Sequence, residues 1–130
     1  MKQDTLAKLF FSAKGRINRQ KFLFANIGWG VAIVAVMIMS TMFTAMAFDP
    51  EASAFPSIMA DLFGIISIIL YILVIYSSIV LQIKRWHDLD KSGWFTLLGF
   101  VPLVGIVCFI YILFVVGTKG DNQFGKDPLA

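Results

Sequence analysis

The sequence predicts an all-α integral membrane protein: two spanning helices plus a third apolar segment that is either a proline-kinked span or a re-entrant hairpin. Composition is the first reason. Apolar types make up 58% and charged types 15% of 130 residues, against roughly 45–50% and 25% in soluble domains. Charge placement is the second. Every Lys, Arg, Asp and Glu falls in 1–21, 49–61, 84–91 or 119–130, leaving 22–48, 62–83 and 92–118 without one. Each empty run exceeds the ~18 residues that mark a transmembrane candidate, which excludes a soluble globular domain. The length allows one membrane domain, 1–130. It divides into a basic cytoplasmic or interfacial segment 1–21, span 22–48, acidic outer loop 49–61, span 62–83, basic inner loop 84–94, apolar segment 95–118 and polar tail 119–130.

At the N-terminus, Asp4 or Thr5 caps a short helix that places Leu6, Leu9, Phe10 and Ala13 on one face. With Lys2, Lys8 and Lys14 elsewhere around it, such a helix suits the headgroup layer; a frayed, solvated tail is the alternative. Gly15 ends it. The first span lies within Phe22–Phe48, about 40 Å of helix, so it tilts or its ends emerge. Trp29 reads as an interface anchor, Gly28 and Ala32 as a weak close-approach pair, and Met37, Met39, Met42 and Met46 as adaptable packing. Ala45-Met46-Ala47 looks like a cleavage site, but the preceding apolar stretch is too long for a signal core, so an uncleaved anchor is expected.

The linker Asp49–Pro56 carries two prolines and cannot continue a helix; Ser57 or Asp61 caps the next one. The second span, Leu62–Ile83, is about 33 Å long and matches the bilayer. Its Ser67, Ser77, Ser78 and Gln82 are weak signs of a helix interface. The third run, Ser92–Thr118, reads in two ways. Phe95–Gly117 as one helix spans, kinked at Pro102. Alternatively Ser92–Val101 and Gly105–Thr118 fold back at Pro102–Gly105 as a hairpin, whose turn must be buried in protein because lipid cannot satisfy its backbone groups. Helix continuity alone favours the kinked span.

The net charge of +3 follows membrane topology rather than nucleic-acid binding, for which no basic helix face or aromatic platform is present. Lys2, Lys8, Lys14, Arg16, Arg19 and Lys21 precede the first span, and Lys84, Arg85 and Lys91 follow the second. The loop between the spans holds Asp49, Glu51 and Asp61 with no base. Because Lys and Arg in short loops stay inside, the N-terminus is expected to be cytoplasmic in a multi-pass protein of a bacterial inner membrane. Cys108, the only cysteine, rules out an intramolecular disulfide.

Three polar clusters stand out. In Gly15–Arg19, two arginines three apart share a helix face and suit lipid phosphate, with simple anchoring the plainer reading. In Lys84–Trp94, Arg85 and Asp88 are spaced for an ion pair, while Trp86 and Trp94 suit the interface. His87 beside Asp88 invites a catalytic reading, but neighbours on a helix do not face each other, and a single His with no nearby Cys is too little for a metal. In Gly117–Pro128, the glycines, Asn122 and Asp127 indicate defined turns, and Phe124 tucks the tail back.

In that order the clusters resemble the domain of unknown function 805 family of small, uncharacterised bacterial inner-membrane proteins. The resemblance covers nearly the whole chain. It places Arg16, Arg19, Arg85, His87, Asp88, Ser92, Gly93, Trp94, Asn122, Phe124, Gly125 and Asp127 at the family's motif positions. Lys84 stands where a second Arg is common and Asp90 where Gly is common, which argues against a fixed turn at 90. The resemblance implies no enzyme activity, cofactor or catalytic residue. It implies instead that the clusters meet on one face, which requires the hairpin and balances the preference for a kinked span.

The expected function is therefore that of a non-enzymatic structural or interaction protein with an inner-face polar cluster. Expected partners are the phospholipid bilayer, including anionic headgroups, and a homo-oligomer or another membrane protein, with no nucleic acid. The alternatives are an oligomeric transporter or channel subunit for an apolar compound and, behind it, a lipid-headgroup enzyme. Ion-coupled transport lacks the intramembrane ionisable residue it needs. The enzyme lacks a second acid, a base-paired nucleophile and a metal or phosphate loop.

Overall fold

The computed structural model describes residues 6–49 and 53–130. The expected caps Asp4 and Thr5, together with Lys2, Pro50, Glu51 and Ala52, lie outside the described residues. Among the described residues four α-helices and one 3₁₀ helix follow in order: α1 Leu6–Phe11, α2 Arg19–Ala47, α3 Ala54–Asp88, the 3₁₀ helix Gly93–Phe100 and α4 Val104–Phe114. No strand is present among the described residues. The chain forms two compact units, one of the described residues up to Asn26 with Tyr76–Ala130, the other Ile27–Ile75.

The two long helices have 29 and 35 residues, or roughly 43 and 52 Å, more than the ~30 Å hydrocarbon layer. Their most apolar stretches are 11% and 0% buried by protein. Val31 and Ile68 are typical, each 64% exposed. A soluble protein could not leave such faces to water, so these are lipid-facing helices of an integral membrane protein.

Both ends of α3 differ from the expected loops. It starts at Ala54, with Pro56 in the first turn, where a missing N–H leaves no helix bond unmade. Ser57 is not a cap; its hydroxyl donates to Ala54 O at 2.8 Å. At the other end Lys84–Asp88 remain helical. The stop is a C-terminal double bond: Asp90 N donates to His87 O and Lys91 N to Trp86 O, at 3.1 and 3.0 Å. Asp90 takes the left-handed conformation, φ 55°, so the turn at 90 forms without the glycine that would adopt it most readily.

The third apolar run is a hairpin, not a kinked span. Ser92 Oγ accepts from Trp94 N at 3.4 Å and opens the 3₁₀ helix. Val101, held extended before Pro102, breaks it. Leu103, at φ 65°, reverses the chain, and Gly105 N returns to Val101 O at 2.8 Å. The two arms touch where side chains are missing: a Cβ on Gly105 would come within 2.5 Å of Gly99 O.

In the unit containing the termini, Phe22 packs on Phe109 at 6.1 Å, and Ile17, Leu81 and Ile112 are fully buried. Trp86, expected at the interface, is instead buried, between Phe95 and Tyr111 at 5.3 and 5.9 Å. In the Ile27–Ile75 unit, Phe43 stacks on Phe63 at 5.5 Å. Ser67 bonds back to Phe63 O at 2.7 Å. Beside them a half-open apolar groove of about 350 Å³ is lined by Ile33, Val36, Met37, Ile68, Tyr71 and Ile72.

Candidate functional site

The site is a polar knot at the C-terminal end of α3. The chain leading into α2 prepares it. The chain between α1 and α2 is not helical, so Arg16 and Arg19 do not share a helix face as expected. Asn18 stops α2 from starting earlier by capping it, its Oδ1 accepting from Lys21 N at 2.8 Å. Arg19 then opens the helix exposed to solvent, while the Arg16 side chain is only 1% exposed.

Asp88 holds the knot. Its Oδ1 accepts from Arg16 Nε at 3.1 Å, and its Oδ2 accepts from Arg85 Nη1. The ion pair expected between Arg85 and Asp88 is thus present, with a second guanidinium added from 72 residues away. Arg85, fully buried, also donates to two backbone carbonyls, Nε to Ile112 O at 2.7 Å and Nη2 to Val115 O. These carbonyls belong to the end of α4, where helix oxygens lack partners of their own. One arginine therefore closes both the ion pair and the returning arm of the hairpin.

Arg16 does the same for the tail. Nη1 donates to Gly120 O at 2.6 Å and Gly125 O at 3.4 Å, and Nη2 to Thr118 O and Oγ1 at 2.6 and 3.0 Å. All five of its N–H groups are engaged within the chain. Thr118 is equally occupied: its hydroxyl donates to Asp88 O at 3.0 Å and accepts from Asn122 Nδ2 at 3.1 Å. Asn122 Nδ2 also donates to His87 O at 2.9 Å, and Asn122 pairs with Gly125 across a tight turn.

The His87 imidazole and the Asp88 carboxylate turn to different partners. The imidazole lies flat on Phe124, with centroids 4.0 Å apart, and Nδ1 meets Gly15 O at 3.2 Å. Phe124 thereby tucks the tail as its position suggested. Asp127 ties the tail internally, its Oδ1 accepting from Leu129 N and its Oδ2 from Gly120 N, both at 2.8 Å. Those two bonds hold its carboxyl below the usual carboxylate range.

Of the residues singled out in sequence, Arg16, Arg85, His87, Asp88, Asn122, Phe124, Gly125 and Asp127 come together here. Gly93 is adjacent, since a Cβ on it would approach His87 Nε2 to 3.2 Å. Ser92 serves the hairpin instead, and Arg19 and Trp94 point outward. Lys84 and Gly117, which begin two of the sequence clusters but are not among the motif positions, also take part in the arrangement. Buried Lys84 donates to Lys8 O and Leu9 O at 2.6 and 3.1 Å, holding the end of α1. Gly117 packs against the Asp88 carboxylate so closely that no side chain fits. Among the described residues no three His, Cys, Asp or Glu gather as metal ligands.

A family model described as "Protein of unknown function (DUF805)" matches residues 10–126. The chain is 40% identical to the inner membrane protein YhaH of Escherichia coli K12 over 50% of its own length and 54% of that protein. To the inner membrane protein YhaI of the same strain it is 40% identical over 45% of its length and 51% of the relative's. The aligned part is thus about half the length of these curated relatives. The uncharacterised protein YiiR of that strain is 24% identical over 95% of this chain and 90% of its own. No solved structure matches.

Proposed function

The chain belongs to the DUF805 family, and from that premise we propose that it is a non-enzymatic structural or interaction protein of a bacterial inner membrane. It crosses twice, and its N-terminus and tail both lie on the cytoplasmic side. The observation that carries this reading is the saturation of Arg16. A guanidinium that binds substrate keeps donors free, whereas all five here serve Asp88 and the tail backbone. The knot is then a fastener: it joins the N-terminal segment, the end of α3, the hairpin and the tail. The basic residues flanking the first span and ending the second support the orientation, and the acidic Asp49 and Asp61 between them agree.

Partners in this reading are a second copy or another membrane protein, met through the lipid-facing helices. A topology reporter fused after Ala130 tests it. Cytoplasmic activity of the reporter is expected; activity on the outer side alone would overturn both the tail placement and the fastener.

A second reading, an oligomeric transporter or channel subunit for an apolar compound, draws support from the groove beside Met37 and Tyr71. A protein that is purely monomeric in mild detergent would remove it.

A further inference from the structure

The basic residues near the knot divide into two classes by what they touch. Arg16, Lys84 and Arg85 are enclosed, and they donate to Asp88, to the Thr118 hydroxyl and to backbone carbonyls. Lys8, Lys14, Arg19 and Lys21 are exposed, and no carboxylate forms an ion pair with any of them among the described residues. No Asp or Glu occurs at all from residue 6 to residue 48. Among the described residues these four charges therefore have no carboxylate partner.

Their backbone is fixed in place. Lys84 holds Lys8 O and Leu9 O, His87 meets Gly15 O, and Ile17 N donates to Lys84 O at 3.4 Å. Phe11 stacks on Tyr76 at 5.9 Å. The segment is therefore bound to α3, and its cations are presented from an anchored surface rather than a free tail.

The first turn of α2 sets their depth. Leu23 and Phe24, 40% and 69% exposed, come two and three residues after Lys21 on α2 and require acyl chains around them. Arg19 and Lys21 are then at the headgroup level, where lipid phosphates are. Phe11, 46% exposed, gives the anchored segment an apolar contact at the same boundary.

We propose that Lys8, Lys14, Arg19 and Lys21 form a docking surface for the phosphates of anionic phospholipids. Arg19 grips a phosphate through its planar fork, and the lysines add point charges around it. Arg16, which its spacing from Arg19 also suits to lipid phosphate, takes no part because its donors are engaged within the chain, and Arg85 takes none because it is fully buried. The surface depends on membrane insertion and not on which side the tail faces.

The test uses the full chain reconstituted in nanodiscs of phosphatidylcholine and phosphatidylglycerol in equal parts. Lipids retained after mild detergent extraction are then counted by mass spectrometry. Arg19→Gln with Lys21→Gln is expected to lower the retained ratio of phosphatidylglycerol to phosphatidylcholine by more than ~10-fold, at about fivefold per charge removed. Lys8→Gln with Lys14→Gln should act in the same direction, which covers the case of a first variant that folds poorly. Lys119→Gln with Lys126→Gln, in the tail, should leave the ratio unchanged. An unchanged ratio in both N-terminal variants would overturn the proposal. So would an equal fall in the tail variant, since that would mean net charge alone draws the lipid.

Discussion

Gly117 lies against the carboxylate of Asp88, in the space a side chain would need. This places the chain leaving α4 in contact with the end of α3 and lets Thr118 N donate to Asp88 O at 2.8 Å. Glycine is needed here for closeness rather than for backbone freedom.

Gly117→Ala should therefore destabilise the protein by about 1–3 kcal/mol, the usual cost of overpacking. Gly28→Ala, inside α2 with no atom within 4 Å of the added methyl, is the control and should leave stability unchanged or slightly raised. Thermal unfolding of the two variants in the same detergent compares them directly. Equal melting temperatures would show that the tail does not pack on Asp88.

Asp88→Asn should cost about 3–5 kcal/mol, because it leaves two enclosed guanidiniums without their anion. Exchanging the partners, Arg85→Asp with Asp88→Arg, should not restore stability. Arg85 also serves Ile112 O and Val115 O, and a new arginine at 88 would face Arg16. Denaturant titration of the single and double variants gives the comparison, and full rescue by the exchange would reduce the knot to one isolated pair.

Phe124→Ala should loosen the tail by removing the stack on His87, worth about 0.5–1.5 kcal/mol beyond the buried area. The measurable consequence is faster tryptic cleavage after Lys119 and Lys126 at unchanged helix content. His87→Phe keeps a ring beneath Phe124 but loses the contact with Gly15 O, so its tail should stay protected while the N-terminal segment loosens.

The Asp127 carboxyl has a lower pKa in the folded tail than in an unfolded one, through its bonds from Leu129 N and Gly120 N. Its contribution is complete above the unfolded value and disappears as pH falls through the folded value. The protection of the Gly120 and Leu129 amides, taken relative to the intrinsic exchange rate at each pH, should fall on acidification, with the midpoint below the ordinary Asp range. In Asp127→Asn the acid-dependent step at these amides should vanish.

The features legible along the chain are those set by near neighbours and by solvent preference. Charge-free runs mark the lipid-facing helices, and a spacing of three pairs Arg85 with Asp88 on one helix face. Residue type alone makes Lys84 a loop charge, because its partners, Lys8 O and Leu9 O, are backbone oxygens that leave no signature in sequence. Composition likewise assigns Trp86 to the interface, although Phe95 and Tyr111 from the returning hairpin cover it. The missing glycine argues against a turn at 90, yet the bonds closing α3 hold Asp90 in the left-handed region.

By itself the order of residues determined that this chain leaves water: uncharged stretches of that length cannot be satisfied any other way, and that follows from local composition. The tertiary structure alone decided that the third stretch doubles back and that one carboxylate is shared by two arginines. Pro102 permits a bend or a reversal equally. What selects reversal is the contact of Gly99 with Gly105 and the capture of the last α4 carbonyls by Arg85. Those energies exist only once distant segments have met.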